Sequence, residues 1–201
     1  MTAVFLPHNE PYLGNDQVLA FDLAIPPALQ SHAEIAKRTF GRLTPLQVAA
    51  TEIIPQGVSI ALSMRELVRQ AYLYPAAILI RPLVERTGTI RYLQENPAAV
   101  ELWSSGWPRK KQPKFDDLLD VLHPQVPENG QEALRTLLHK LVHSDPAGSV
   151  YNMFKRSDGV PMFSSGKTMD NPLLCRAVCA AGTCYLKMLN QTAREIFQDV
   201  A

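Results

Sequence analysis

Two pairs of side chains in this 201-residue chain have the types and spacing to do chemistry. Arg81 and Glu85 lie four residues apart in a strongly apolar stretch, so on a helix they share one face. Their neighbours on that face are Ala77, Ile78, Gly88 and Tyr92. Burying a charge there is expensive unless it is paired, which makes an internal ion pair that fixes helix register the expected arrangement. If Arg81 opened onto a cleft instead, its planar fork would suit a phosphate or a carboxylate. His139 and His143 form the second pair, at a spacing that lets two imidazoles share a metal. Position 140 is a lysine where zincins carry glutamate, and no third ligand follows nearby, so no metal is expected. A histidine in the last turn of a helix also offsets the dipole there.

Other chemistry is excluded more simply. The chain has no GxxxxGK[ST] and no GxGxxG, and Ser164-Ser165-Gly166-Lys167-Thr168 has only the tail of a phosphate-binding loop. A G-x-S-x-G elbow is absent too. Twenty basic residues stand against nineteen acidic ones, giving a net charge of +1 and no general attraction to nucleic acid. A nucleic-acid site would have to be local. The candidate is Arg109, Lys110, Lys111 and Lys114 beside Trp103 and Trp107, cations for phosphates next to rings for bases. Cys175, Cys179 and Cys184 fall on one expected helix, the first two side by side and the third opposite, which suits free thiols packed as small apolar groups in a reducing compartment. No cofactor is implied. The first residues have neither the cationic nor the apolar region of a signal peptide, and the longest apolar run, residues 76–80, is far short of a bilayer span. The expected location is cytoplasmic.

These residues must be positioned by helices. Residues 1–25 hold Pro7, Pro11, Gly14, Asn15 and Asp16 without a sustained period and read as an extended arm packed through Phe5, Leu6, Tyr12 and Phe21. Residues 26–201 read as one domain, opening with a short helix after Pro26 and Pro27 that Gly41 closes after Phe40. Thr44-Pro45-Leu46-Gln47 is a capping box followed by a long helix to Tyr74, kinked at Pro55. Pro75 then begins the most apolar helix, which ends at Asn96-Pro97, where a short helix carries Trp103. A loop over 104–114 and a brief amphipathic turn over 115–122 follow. Asn129-Gly130-Gln131-Glu132 signals a helix with the stripe Leu134, Leu137, Leu138 and Leu141, stopped by Asp145-Pro146. Residues 147–169 read as irregular, with a small hairpin around Ser157-Asp158-Gly159. Asn171-Pro172 opens the last helix, whose stripe is Leu174, Val178, Ala181, Tyr185, Met188, Leu189 and Ile196, with Arg176, Lys187 and Arg194 opposite. The fold class is therefore all-α, an antiparallel four-helix-type bundle over 44–74, 75–95, 129–143 and 171–199 with accessory helices.

At Arg81-Pro82-Leu83-Val84-Glu85 and Leu141-Val142-His143-Ser144 the sequence resembles helical bacterial domains of unknown function distantly related to the HEPN superfamily. The likeness spans roughly residues 44–199 in helix order. It implies a helical bundle of the kind found in toxin-antitoxin and other bacterial defence proteins, many of which cut RNA without metal. Their catalytic pattern sets an arginine and a histidine about a turn and a half apart on one helix. Here Arg135 precedes His139 with three residues between and His143 with seven, and neither spacing fits.

Three functions are weighed on these grounds. The leading one is an interaction or regulatory module that binds a protein partner or forms a homo-oligomer, in a bacterial defence setting. The second is metal-independent RNA cleavage, with His143 and His139 as acid or base and Arg81 and Glu85 at the same cleft. The third is nucleic-acid binding through the basic loop.

Overall fold

Thr44 starts the helix around which the others are arranged. Its hydroxyl accepts the Gln47 N–H at 3.3 Å while the Gln47 side-chain oxygen accepts the Thr44 N–H at 3.0 Å, so the first turn satisfies its own orphan donors. In this computed structural model, residues 3–38, 43–108, 110–143, 153–155, 158–163 and 166–198 are described. Among them are eight helices and one hairpin. Helices α1 (Asp16–Arg38), α2 (Pro45–Arg69), α4 (Ile80–Glu95) and α8 (Pro172–Ile196) carry the main core, and α3 (Leu73–Ile78), α5 (Pro97–Ser104), α6 (Phe115–Leu122) and α7 (Glu128–Val142) surround them. Strands β1 (Met153–Lys155) and β2 (Pro161–Phe163) pair antiparallel with Met153 opposite Phe163, across the turn at Gly159. The fold is all-α, as the periodicity requires.

The first helix is the main correction. α1 begins at Asp16, inside the stretch expected to be an extended arm, and Pro26 and Pro27 lie in its interior rather than at its start. Two prolines remove the donors that would bond the carbonyls of Asp22 and Leu23. All four of these residues are exposed, so water can reach those carbonyls. On the other side Val18, Phe21, Ala24 and Ala28 are buried, and this packing holds the helix through its proline step. The expected end at Phe40 and Gly41 lies outside the described residues. The arm is residues 3–15, and Tyr12 is buried as expected, whereas Leu6 is exposed. Gln70 fixes the arm, accepting the Phe5 N–H at 3.0 Å and donating to the Phe5 carbonyl at 2.7 Å.

The direction of the helices also differs from a purely antiparallel bundle. Tyr12 reaches Thr168 and Asn171, the Phe21 ring lies against Gly182, and Ser31 accepts from Arg194 at 3.4 Å. These pairs rise together along both chains, so α1 and α8 run parallel. α2 runs against them, since Gln47 donates to the Ile196 carbonyl and Gly57 lies against Leu189.

α2 stops at Arg69, five residues before the expected Tyr74. Ala71 takes φ 63°, with Tyr72 N–H bonded to the Leu67 carbonyl at 2.8 Å and Ala71 N–H to Val68 at 2.9 Å, the reverse turn that usually ends on glycine. The next helix breaks again at Leu79. α7 starts at Glu128 after Pro127, with no side-chain cap from Asn129. Of its stripe, Leu138 and Leu141 are buried and Leu137 is exposed, so α7 rests on α3, α4 and α6 at the periphery and α1 takes its place in the core. The stop at Asp145-Pro146 lies outside the described residues. α8 starts where the sequence places it, its Asn171 side chain accepting the Leu174 N–H at 3.0 Å.

Gly88 lets α4 and α6 meet. A methyl group there would come within 2.8 Å of the Leu118 Cβ and 3.2 Å of its carbonyl oxygen, neither of which can swing away. Helix propensity alone favours alanine over glycine by about 1 kcal/mol, but overpacking costs about 1–3 kcal/mol. Gly88→Ala is therefore expected to lower the melting temperature, as read by circular dichroism; a rise would mean that α6 shifts freely.

Candidate functional site

The residues singled out from the sequence form two separate pairs. Arg81 Nε lies 3.1 Å from Glu85 Oε1, but the side chains are 24% and 35% exposed, which overturns the expected internal ion pair. The break at Leu79 explains this, because Ala77 and Ile78 belong to α3 and do not continue the face that carries Arg81. Its guanidinium instead lies 5.0 Å from the centre of the Phe115 ring, a cation–π contact across to α6. His139 and His143 are both exposed, with ring centres 4.1 Å apart. His143 is the C-cap of α7, its N–H bonded to the His139 carbonyl at 3.0 Å. No hydrogen bond or ion pair joins Arg81 or Glu85 to either histidine, and no three His, Cys, Asp or Glu side chains converge as metal ligands among the described residues.

The basic loop is arranged less favourably than its sequence suggests. Lys110, Lys111 and Lys114 are exposed, and Arg109 lies outside the described residues. Trp103 and Trp107 are half-buried against the core, and the Trp107 indole N–H is buried without a partner. The backbone N–H of Lys114 donates to Asp117 at 2.6 Å and so begins α6.

Where α1, α2 and the arm meet, the structure builds a charge cluster from Glu10, Asp22 and Arg65. Arg65 donates to both Glu10 oxygens at 2.8 and 2.7 Å and to both Asp22 oxygens at 2.6 and 2.9 Å. Arg65 is 12% and Glu10 3% exposed. Burial pulls the guanidinium pKa down, but the bonds to Asp22 and Glu10 more than reverse this and hold it above its ordinary value. Next to the cluster Cys175 and Cys179 are buried side by side on α8, as their spacing indicates, and Cys184 is exposed. The nearness of the two free thiols lowers the Cys175 pKa against its burial, and the same nearness together with burial raises that of Cys179.

A second polar contact lies under α6. The Tyr185 hydroxyl, buried, is 3.0 Å from His123 Nε2, with the rings edge-on at 5.7 Å. Burial lowers the His123 pKa and raises that of Tyr185. Two clefts are open on this side. One of about 290 Å³ between α6 and α7 is lined by Asp116, Asp120, Glu128 and Glu132, with Arg135 held by Asp116 at 2.9 Å. The other, of about 220 Å³, lies where α4, α6 and α8 meet, and its Arg91 is engaged by Glu195 at 2.6 Å and Glu95 at 2.8 Å.

Among the described residues, apolar side chains are also exposed on α1 and α8. On α1, Leu19 and Leu23 are 60% and 67% exposed, one turn apart, with Pro26 and Pro27 exposed in the next turn. On α8, Leu173 is 76% exposed, and Ala177, Ala180 and Cys184 follow it on the same face, all exposed. By length and composition α8 could cross a membrane, yet half of its most apolar stretch is buried within the domain. α1 and α8 are parallel neighbours, packed through their buried faces and joined at the surface by Ser31 and Arg194.

The chain matches no protein-family model, no curated protein and no solved structure.

Three measurements separate these groups. Arg65→Ala leaves Glu10 buried without compensation and is expected to cost about 3–5 kcal/mol in chemical denaturation, whereas Arg81→Ala, at a half-exposed pair, costs less than about 1 kcal/mol. Equal losses would contradict the burial described. His123 is held neutral in the folded state, so its contribution to stability is full above the unfolded pKa of about 6.5 and is lost as pH falls toward the lowered folded value. Stability measured between pH 7 and 5 should therefore fall with acid, and His123→Asn should flatten that slope.

Proposed function

We propose that this domain is a helical interaction module whose docking face is the shared outer surface of α1 and α8. The observation that carries the reading is the exposed Leu19 and Leu23 on one helix beside exposed Leu173, Ala177, Ala180 and Cys184 on its parallel neighbour. Single exposed leucines are ordinary on protein surfaces. Here exposed apolar side chains recur on the outer sides of two parallel neighbouring helices, and apolar surface grouped in this way marks interaction sites. The likeness to HEPN-type domains would place the module in a bacterial defence or toxin-antitoxin setting, with a protein as its partner.

Nothing comparable favours the other two readings. Arg81 is engaged by Glu85 and Phe115, the histidine pair is exposed on a peripheral helix, and the tryptophans beside the basic loop turn toward the core. RNA cleavage by His139, His143, Arg81 and Glu85 would need the two pairs to close on one phosphate.

Replacing both Leu19 and Leu23 by aspartate tests the reading. Both side chains are exposed, so the melting temperature should stay within a few degrees of wild type, while association, followed by sedimentation velocity and by affinity capture of bound protein, should fall at least tenfold. Unchanged association in the double variant would overturn the docking face. Chelator-resistant cleavage of total RNA that disappears in His143→Ala would replace the interaction reading with an RNase.

A further inference from the structure

We propose that Phe5, Tyr72, Gln70 and the Ala3 carbonyl form a primary-ammonium site, filled by Lys167 of the same chain, and that this contact latches the N-terminal arm over Arg65 and Cys175. It stands independently of the α1 and α8 face. Lys167 belongs to the stretch that has only the tail of a phosphate-binding loop, and its amine is committed to other chemistry. Its Nζ lies 4.4 Å from the centre of the Phe5 ring and 5.5 Å from that of Tyr72, both within reach of a cation–π contact. It also donates to the Ala3 carbonyl and, at 3.4 Å, to the Gln70 side-chain oxygen. An ammonium has three donors and no acceptor, so two ring faces and two oxygens suit it and offer nothing to an anion.

The two rings come from segments far apart, Phe5 in the arm and Tyr72 just after the left-handed Ala71 that follows α2. The segment carrying Lys167 is fixed over that turn, because the Thr168 N–H donates to the Ala71 carbonyl at 2.8 Å. From the other side the Tyr12 hydroxyl donates to the Thr168 carbonyl and accepts the Asn171 N–H at 3.3 Å. Of residues 3–9 every one but Phe5 is exposed. This end of the arm therefore rests on the Phe5 ring and on the bonds that its backbone makes with Gln70 and Arg69.

What the arm covers gives the latch a consequence. Glu10 is buried against Arg65, and Tyr12, also buried, is near enough to Cys175 for the two to interact electrostatically. Cys175 is itself buried one turn into α8, its N–H bonded to the Asn171 carbonyl at 3.1 Å. When the arm lifts, Glu10 carries its charge into water, Arg65 keeps Asp22, and the Cys175 thiol becomes reachable. An open arm has given up all of its contacts, so loss of any one of them raises the open population. Withdrawing the charge of Lys167 thus acts at Cys175.

Labelling with N-ethylmaleimide, with the modified residues identified by mass spectrometry, follows Cys175 apart from the exposed Cys184. In wild type Cys184 should react and Cys175 should stay protected. Lys167→Ala and Lys167→Gln, the second keeping a hydrogen-bond donor but no charge, should each speed Cys175 labelling about tenfold. Adding n-propylammonium, the fragment that the alanine change removes, should return Lys167→Ala to the slow rate, and n-propanol should not. Cys175 labelling in the variants should depend only weakly on urea, since lifting the arm exposes little surface. Unchanged protection in both variants would overturn the latch, as would a urea dependence as steep as that of global unfolding. Slow labelling in Lys167→Gln alone, or n-propylammonium acting no better than n-propanol, would overturn the ammonium site.

Discussion

The guanidinium of Arg65 is the point on which the N-terminal third of the molecule depends. Four of its five N–H donors are used on two carboxylates, one from the arm and one from α1, so three segments distant in sequence are tied through one side chain. α1 needs such a tie. Its two internal prolines take away helix hydrogen bonds, and its persistence rests on burial of Phe21 against Gly182 and on the Asp22 fork at Arg65. With α1 in place α8 is covered on one side, and the thiols of Cys175 and Cys179 are sealed beneath it.

Much of the fold was legible because helices announce their beginnings locally. Thr44 with Gln47, Pro97 after Asn96, Phe115 at the head of α6 and Asn171 before Pro172 all stand where the chain's own chemistry puts them. Helix ends were less legible. α2 closes on Ala71 in the left-handed region, where a glycine would have given warning, and nothing apolar or polar at Leu79 signals the break there. Pro26 and Pro27 misled in the opposite sense, since proline is an entry signal by local rules and only tertiary burial explains its survival inside α1.

The candidate site was legible in its parts but not in its location. Spacing correctly put Arg81 beside Glu85, His139 beside His143 and Cys175 beside Cys179, because neighbours at i and i+4 follow from helix geometry. Whether a face is then covered depends on residues far away in sequence. The break at Leu79 left Arg81 near the surface, while Glu10 and Asp22, 55 and 43 residues from Arg65, came together with no local pattern to announce them. The apolar outer face of α1 was hidden for a related reason: read as an extended arm, the segment has no faces at all.

The parallel pairing of the first and last helices also bears on how the chain reaches this state. Contacts such as Ser31 with Arg194 and Tyr12 with Asn171 join residues 163 and 159 positions apart, so the loop to be closed is most of the chain. Such long-range closure is slow, since its entropy is lost before the contacts form. On the ribosome α1 emerges long before α8 and must wait for it before the face that packs on α8 can be buried. During that interval it is apolar on two sides, and this nascent segment is where a holding chaperone would find its binding site.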